Sequence, residues 1–489
     1  MLKEVIPGGV LASKMDIHPE KIVLAKGTPE TWPVPGDDEV VIVPLGGIGE
    51  IGMNMTFYGH KGRWIGVDAG VGFPSDEEDR ERGVRATIVD PLSLEPILDR
   101  LDAFFITHAH EDHIGAIPFL WPRYLNCPIY CTPFAAGLIN IKLEEHADLE
   151  DVDIRRFAVG ERLTHSAFDI EAIAMTHSIP EPVALAIRAC DGVIVHTGDW
   201  KMEPHPILGT DMDIRRLTEI GMNERVLAIV GDSTNAERIE GMTTEASVKR
   251  AMRHIMNEAT GAVVVCCFAS NIPRIHAIAE EAFASGRKVA IAGRSMVNAE
   301  AVANECGLMN ALPYFLADFM HLEGLDQREK ALICTGSQGE PRAILGRIAR
   351  GRRNLPAFGP GDTVVISAKA IPGNEPAINE CIELLRSRGV RVITGEDFVG
   401  EEKWPVHVTG HATQDEIRTL YSILKPLAVV AVHGTQEGMV EHALVASELS
   451  SVSHAIVPVA GSVIRVGAAG TKDITVQGAV PFSVGEVMD

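Results

Sequence analysis

Apolar and polar positions along the chain fall into three successive rhythms. From Glu39 short apolar runs arrive quickly: VVIVPLG, MTFYG and WIGVD, then Ala103–Ile106, Pro128–Cys131, Ile170–Ala174 and Val193–His196. Their sharp Gly, Pro and Asp boundaries predict strands of sandwiched sheets, with functional loops at the strand ends. After about residue 212 the spacing lengthens. Here the pattern predicts a helix over 243–259 with Thr243 as N-cap, a strand VVVCC, a helix over 272–285, a strand KVAIAG, a helix over 297–306, a strand ALICTG and a helix over 341–350. Such βαβ alternation implies a parallel sheet. From Asp362 the short strands return (TVVISA, VRVIT, LAVVAVHG), with helices predicted over 376–387, 414–424 and 438–449.

The expected organisation is therefore an N-terminal extension over 1–37, a first domain over 38–212, an inserted domain over 213–356, the resumed first domain over 357–455 and a short C-terminal segment over 456–489. That last segment has room for one or two strands but not for another domain. A length of 489 residues suits two or three packed units.

Composition narrows the class. Apolar residues make up 46% and charged residues 23%, the balance of a globular protein, and 46 glycines with 5% aromatics suit an α/β chain with many tight turns. No apolar run approaches the roughly 18 residues that span a bilayer, so no membrane association is expected. The N-terminus, with Lys3 and Glu4 and no uninterrupted apolar stretch, makes a poor signal peptide. The eight cysteines form no CxxC pair and sit mostly in apolar runs, as reduced core residues of a cytoplasmic protein do. A formal net charge of -23 excludes a generally basic surface. Contact with a nucleic acid would have to be local, through bound cations and short basic stretches. Candidates are Arg347 to Arg353, Lys249-Arg250 with Arg253, and Arg386, Arg388 and Arg391, whose plainer reading is a solvated helix face or C-terminus.

Chemistry concentrates in Thr107-His108-Ala-His110-Glu-Asp112-His113, directly after the strand AFFI. Alternate residues of an extended segment point the same way, so His108 and His110 can grip one metal ion, and after a turn Asp112 and His113 can reach a second. Six residues cannot complete two coordination spheres. Further strand ends carry His177 (AMTHSIPEP), Asp199 (VIVHTGDW) and His433 (VVAVHGT), each unremarkable alone but repeating one strand–turn–ligand placement. The two oxygens of Asp199 suit it to bridge two cations. Asp68, ending the strand WIGVD, is expected to fix a histidine ring or the nucleophilic water.

The ordered set Asp68, His108-x-His110-x-Asp112-His113, His177 and Asp199 resembles the signature of metallo-β-lactamase-fold hydrolases. Gly231-Asp232-Ser-Thr-Asn-Ala, Gly293-Arg-Ser-Met-Val-Asn298, Thr335-Gly-Ser-Gln-Gly-Glu-Pro341, Ile371-Pro-Gly-Asn-Glu375, His407-Val-Thr-Gly-His411-Ala and Val432-His433-Gly434 resemble its β-CASP branch, and within it the bacterial ribonuclease J family, over about residues 38 to 450. The resemblance implies an αββα sandwich interrupted by an inserted β-CASP domain with a parallel sheet. It implies two zinc ions per subunit, with manganese as an alternative working ion: one held by His108, His110, His177 and Asp199, the other by Asp112, His113, Asp199 and His433. Asp232 and His411 match motifs beside the scissile phosphate, and His411, tuned by Asp232, is then a candidate proton donor to the leaving 3′-oxygen. Gly336, Ser337, Gln338 and Gly339, with His407, Thr409, Gly410 and Ala412, resemble the pocket for an RNA 5′-monophosphate, where backbone N–H groups bind an anion without net positive charge.

The implied activity is a metal-dependent ribonuclease working 5′ to 3′ from monophosphate ends, with internal cleavage, in RNA processing and decay. The implied partners are single-stranded RNA and a second copy in a homodimer. The chain departs from the family pattern at Thr409, where Ser is usual, at Thr435-Gln436, where an acidic and an aromatic residue are usual, and in its short C-terminal segment. A small-molecule hydrolase of the same fold needs neither the insertion nor the late histidines. A DNA or nucleotide phosphodiesterase is the nearer rival. An inactive RNA-binding scaffold relative would have lost ligands that are all present here.

Overall fold

The computed structural model describes residues 18–488 apart from 29, 74–78, 80–81, 147–151, 240–242, 310–314, 317, 353–354, 372 and 468–473. Most of the N-terminal extension, and Arg353 of the basic stretch, thus lie outside the described residues. Two eight-stranded mixed sheets pack face to face. The first runs, in order, Ile22–Leu24, His454–Val457, Ala428–Val432, Val226–Asp232, Gly192–His196, Val183–Ala189, Phe168–Ala174 and Arg162–His165; the second runs Ile474–Ala479, Ser462–Gly467, Glu39–Gly46, Met55–His60, Arg63–Val67, Leu101–Phe105, Ile129–Cys131 and Ile154–Arg156.

Strand alternation builds the layers. Val40 and Ile42 point into the core between the sheets with Phe105, Leu185 and Val230, whereas Val41 and Val43 point to the opposite, helix-covered face. In the first sheet Ile194 joins the inner core, while Val193 and Val195 meet Leu217, Ile220 and Leu444 of the outer helices. Each such fully buried aliphatic side chain contributes about 1.5–3 kcal/mol. The result is the expected αββα sandwich. A third sheet of five parallel strands, Lys288–Ala292, Lys330–Cys334, Val263–Cys266, Thr363–Ile366 and Arg391–Ile393, is buried on both faces. This is the expected inserted layer.

Sheet membership differs from the expected boundaries at 212 and 356. The strand Val226–Asp232 pairs with Gly192–His196 and Ala428–Val432 and so belongs to the sandwich. Thr363–Ile366 and Arg391–Ile393 belong to the parallel sheet. A strand buried on both faces reads as the same continuous apolar run whichever sheet receives it, so rhythm cannot decide between them. The C-terminal segment also holds more than expected: Ser462–Gly467 and Ile474–Ala479 extend the second sheet, and Val484–Met488 pairs with Val84–Val89. Helix limits shift by a few residues; the helix Glu245–Glu258 is capped by Thr244 rather than Thr243. The described part of the N-terminal extension is tied down by Ile22–Leu24 on the edge of the first sheet and by Trp32, edge-on to Phe57 and Trp64.

Candidate metal centre

The chain ends of several strands open at one edge of the sandwich, and the predicted residues sit on the turns that follow them: Asp68 after Arg63–Val67, the histidine cluster after Leu101–Phe105, His177 after Phe168–Ala174, Asp199 after Gly192–His196 and His433 after Ala428–Val432. Asp232 is itself the last residue of Val226–Asp232. Asp68 and His433 take left-handed backbone (φ 61° and 50°), a strain held by the surrounding structure that aims their side chains inward. Gly198, at φ 56°, lets the chain turn tightly against Thr107, where a Cβ would stand 2.8 Å from the Thr107 Cβ.

Three groups of donors share Asp199; two match the expected ligand sets, and the third joins Asp199 and His433 to Asp232 and His411. In the first, His108 Nε2 and His177 Nε2 each lie 3.1 Å from His110 Nδ1 and 3.6 Å from Asp199 Oδ2. A tetrahedral ion bonded at about 2.0–2.1 Å spaces its ligand atoms by about 3.3 Å, so these separations fit a single cation. His108 and His177 are held well below the ordinary imidazole range, and His110 is pulled down to about 4, chiefly by burial. Neutral imidazoles are what a metal requires. In the second group, His113 Nε2 lies 3.3 Å from Asp199 Oδ1 and 3.7 Å from Asp112 Oδ2, and His433 Nε2 lies 3.2 Å from Asp112 Oδ2. His433 Nε2 is buried and faces the Asp112 carboxylate, an arrangement in which both atoms can serve one cation. Burial lowers the pKa of His113 and His433, but the carboxylates, Asp199 foremost, outweigh it; His113 rises well above its ordinary value and His433 to about 10. Asp68, Asp112, Asp199 and Asp232 concentrate negative charge here, and without a cation those protons supply the balancing charge that a divalent ion would displace.

The surrounding hydrogen bonds fix ring orientation. Asp68 accepts from His113 Nδ1 (2.8 Å), the Thr107 hydroxyl (2.9 Å) and the Thr107 N–H (2.8 Å). The Gly410 carbonyl accepts from His177 Nδ1 at 2.7 Å. His411 Nδ1 donates to Asp232 Oδ2 at 2.8 Å and stands 3.8 Å from Asp199 Oδ2; burial opposes its protonation, but the Asp232 and Asp199 carboxylates raise its pKa above the ordinary value.

The proposed phosphate residues fall in two places. Thr409, Gly410 and Ala412 flank His411 at the metal centre, and Asn235 Nδ2 ties the Thr409 hydroxyl (2.7 Å) to the His411 carbonyl (3.1 Å). Gly336, Ser337, Gln338 and Gly339 form a turn at the end of the parallel sheet. The Gln338 side chain donates to the Lys369 carbonyl (3.0 Å) and accepts from the Ile371 N–H (2.8 Å). Two of the turn's N–H groups are already engaged, Gln338 with Glu340 Oε2 and Gly339 with the Gly336 carbonyl. His407 Nδ1 lies 3.4 Å from Arg274 Nη1, which donates to the Ser367 hydroxyl at 2.6 Å. Part of the basic stretches is taken up by ion pairs: Lys249 with Glu280, Arg253 with Glu281, Arg350 with Glu380 and Arg386 with Glu383.

Comparison with known proteins agrees with this geometry. The family description "Beta-lactamase superfamily domain" matches residues 63–215, "Ribonuclease J, beta-CASP domain" matches 260–385 and "Zn-dependent metallo-hydrolase RNA specificity domain" matches 403–458. Ribonuclease J of Sinorhizobium meliloti is 43% identical over 412 residues, 83% of this chain and 71% of that protein. The chain belongs to the ribonuclease J family. Ribonuclease J of Mycolicibacterium smegmatis is 37% identical over 396 residues, covering 81% of this chain and 68% of the relative. A solved protein of unknown function from Enterococcus faecalis shares the fold at TM-score 0.59 and 15% identity, over 90% of this chain and all of that one.

The family's departures here find local roles. The Thr409 hydroxyl keeps the contact to Asn235, and the Thr435 hydroxyl accepts from the Gly438 N–H to cap the helix Gln436–Ser447. Sequence reasoning overlooked Asn54, whose Nδ2 lies 3.1 Å from His113 Nε2 and 3.4 Å from Asp112 Oδ2. It also overlooked the fully buried Arg274, which grips Glu245 through two 2.7 Å hydrogen bonds. Asn54 carries no periodic signal. Arg274 does carry one, a charge among the core positions Ile272, Ile275 and Ile278 of one helix.

Proposed function

We propose that the chain is a two-metal ribonuclease of this family, with His108, His110, His177 and Asp199 holding one zinc and Asp112, His113, Asp199 and His433 the other. The observation that carries this reading is the convergence of both donor groups on the two oxygens of Asp199, with ligand atoms within 4.8 Å of one another in each group. Two divalent cations there supply a clamp on the phosphodiester, a water of lowered pKa and neutralisation of developing charge, with zinc or manganese compatible with these ligands.

The chain's own groups do the rest. Asp68 holds His113 in the tautomer that leaves Nε2 free, and the Gly410 carbonyl does the same for His177. His411, charged through its contact with Asp232, donates a proton to the leaving 3′-oxygen. The turn Gly336–Ser337–Gln338–Gly339 and the segment His407–Ala412 bind the 5′-monophosphate of single-stranded RNA. With the Gln338 and Gly339 amides engaged within the turn, the Gly336 and Ser337 amides and the Ser337 hydroxyl are the donors left for that task. On this reading the enzyme is a 5′-to-3′ exonuclease with internal cleavage, acts in RNA processing and decay as a homodimer, and works in the cytoplasm, where its eight free thiols stay reduced. Among the described residues no helix is long and apolar enough to cross a membrane.

The test offers RNA labelled at its 5′ end, as monophosphate and as triphosphate, with zinc or manganese. Release of labelled mononucleotides, faster from the monophosphate, is the expected result. Turnover of DNA but not RNA, or full turnover by His110→Ala, would overturn it.

A further inference from the structure

Arg274 is wholly buried in the inserted domain, near the start of the helix Ile272–Ala284. Its Nε and Nη2 grip the Glu245 carboxylate at 2.7 Å each. Nη1 donates to the Ser367 hydroxyl at 2.6 Å and to the Ser367 carbonyl at 3.2 Å, and Nη2 also donates to the Val408 carbonyl at 3.4 Å. The Ser367 hydroxyl passes the contact on, donating to the Val406 carbonyl at 2.6 Å. Holding two helices together does not require this fork, since a well-packed apolar pair of similar volume serves as well as a buried Arg–Glu pair. What a planar group with five donors adds is a fixed direction for each acceptor. Here the donors not spent on Glu245 turn toward Ser367 and Val408.

Those contacts hold the segment that leads to His411. Residues 406–408 are fastened to the inserted domain by Ser367 and Arg274. Residues 409–411 are fastened to the sandwich, where Asn235 donates to the Thr409 hydroxyl and the His411 carbonyl, and the Gly410 carbonyl accepts from His177. Glu245 ties the same cluster back to the chain just past Asp199, its N–H donating to Glu203 Oε2 at 2.8 Å. His411 therefore stands on a segment stretched between the two domains. Its Nδ1 is committed to Asp232, so the nitrogen that meets a leaving oxygen is Nε2. We propose that Arg274 is a positioning residue for the proton transfer: by holding the Val406 and Val408 carbonyls it sets where His411 Nε2 meets the leaving 3′-oxygen. This rests on the ribonuclease reading above, in which the bond from phosphorus to that oxygen breaks and the oxygen takes the His411 proton. Arg274, being fully buried, touches no substrate.

Two variants test this. Arg274→Lys keeps a charge beside Glu245 but loses the fork, and Ser367→Ala removes only the relay to Val406. Each is compared with the wild type, metal-loaded, on 5′-monophosphorylated RNA and on uridine 5′-p-nitrophenyl phosphate, whose p-nitrophenolate departs without a proton; metal content is measured alongside. On RNA, kcat should fall by about 10²-fold in Arg274→Lys, the order expected for a misplacement of about 1 Å, and by a smaller factor in Ser367→Ala. On the nitrophenyl ester both should stay within about twofold of the wild type, because a general acid contributes nothing there. Metal content should not change, and in a His411→Ala background neither substitution should lower kcat on RNA further. Equal losses on RNA and on the ester would overturn the proposal, since Arg274 would then support the fold as a whole. Loss of metal would also overturn it, by placing the effect on His177. If Arg274→Lys does not fold, Ser367→Ala decides alone, and RNA turnover at the wild-type rate by that variant would sink the role. Absence of RNA cleavage by a wild type that still turns over the ester would instead remove the ribonuclease reading, and this role with it.

Discussion

Replacing Asp68 by Asn tests how the histidine tautomers are set. Asp68 is 1% exposed and accepts three hydrogen bonds, two at Oδ2 (His113 Nδ1 and the Thr107 hydroxyl) and one at Oδ1 (the Thr107 N–H). An amide cannot reproduce this pattern in either orientation. With its oxygen toward Thr107 N–H, its NH₂ faces His113, and Nδ1 must become an acceptor. The proton then moves to Nε2, the atom that faces Asp112 and Asp199. With the amide flipped, His113 keeps its partner but two donors confront each other at Thr107 N–H in a buried site. Either conflict costs about 1–3 kcal/mol. At about 1.4 kcal/mol per tenfold, the ion bound through His113 should bind roughly 5- to 150-fold more weakly. The assay is competition between protein and a calibrated chelator for zinc, resolved into two binding steps, on wild type and Asp68→Asn. One step should weaken while the step assigned to His108, His110 and His177 moves much less. Unchanged affinity in both steps, or equal weakening of both, would refute the claim that Asp68 acts through His113.

Further outcomes follow from other contacts. His411→Ala should lower kcat for RNA cleavage by about 10²–10⁴-fold with metal content intact; loss of a metal would instead make His411 a ligand. Gly410→Ala places a Cβ 2.6 Å from His177 Cε1, so metal analysis should show weakened binding in the His177 group, and an unchanged content would mean the 406–411 segment yields freely. Glu245 is desolvated by burial, but the Arg274 charge outweighs this and holds its pKa at about 2, below its unfolded value near 4.5. A depressed carboxylate stabilises the fold above the unfolded pKa and loses that contribution as pH falls through the folded one. The shift corresponds to about 3 kcal/mol, so denaturant unfolding of the metal-free protein should weaken by that order between pH 5 and pH 2. Glu245→Gln should flatten the dependence in that window, and an identical slope in the variant would count against the pair.

How far the sequence could be read depended on whether information was local. The His108–His113 cluster, and Asp199, His177 and His433 on strand-end turns, were visible because each follows an apolar run that ends abruptly, and the fold brings those ends to one edge. Sheet membership was not visible: Val226–Asp232 and Thr363–Ile366 are equally apolar, and only pairing partners some 100 to 200 residues away distinguish them. The left-handed backbone at Asp68 and His433 leaves only a faint trace in residue type: Asp and His adopt it more often than most residues, but still uncommonly. Arg274 with Glu245 could have been found as charge on a core face of each helix.

Two ions held on Asp199 and hydrolysis of RNA stand or fall together. The most direct measurement titrates zinc or manganese into chelator-stripped protein while following mononucleotide release from 5′-monophosphorylated RNA. No release is expected without metal and full activity at two bound ions per chain, with Asp199→Ala inactive throughout. Full activity in the stripped protein, or saturation at one ion per chain, would contradict it.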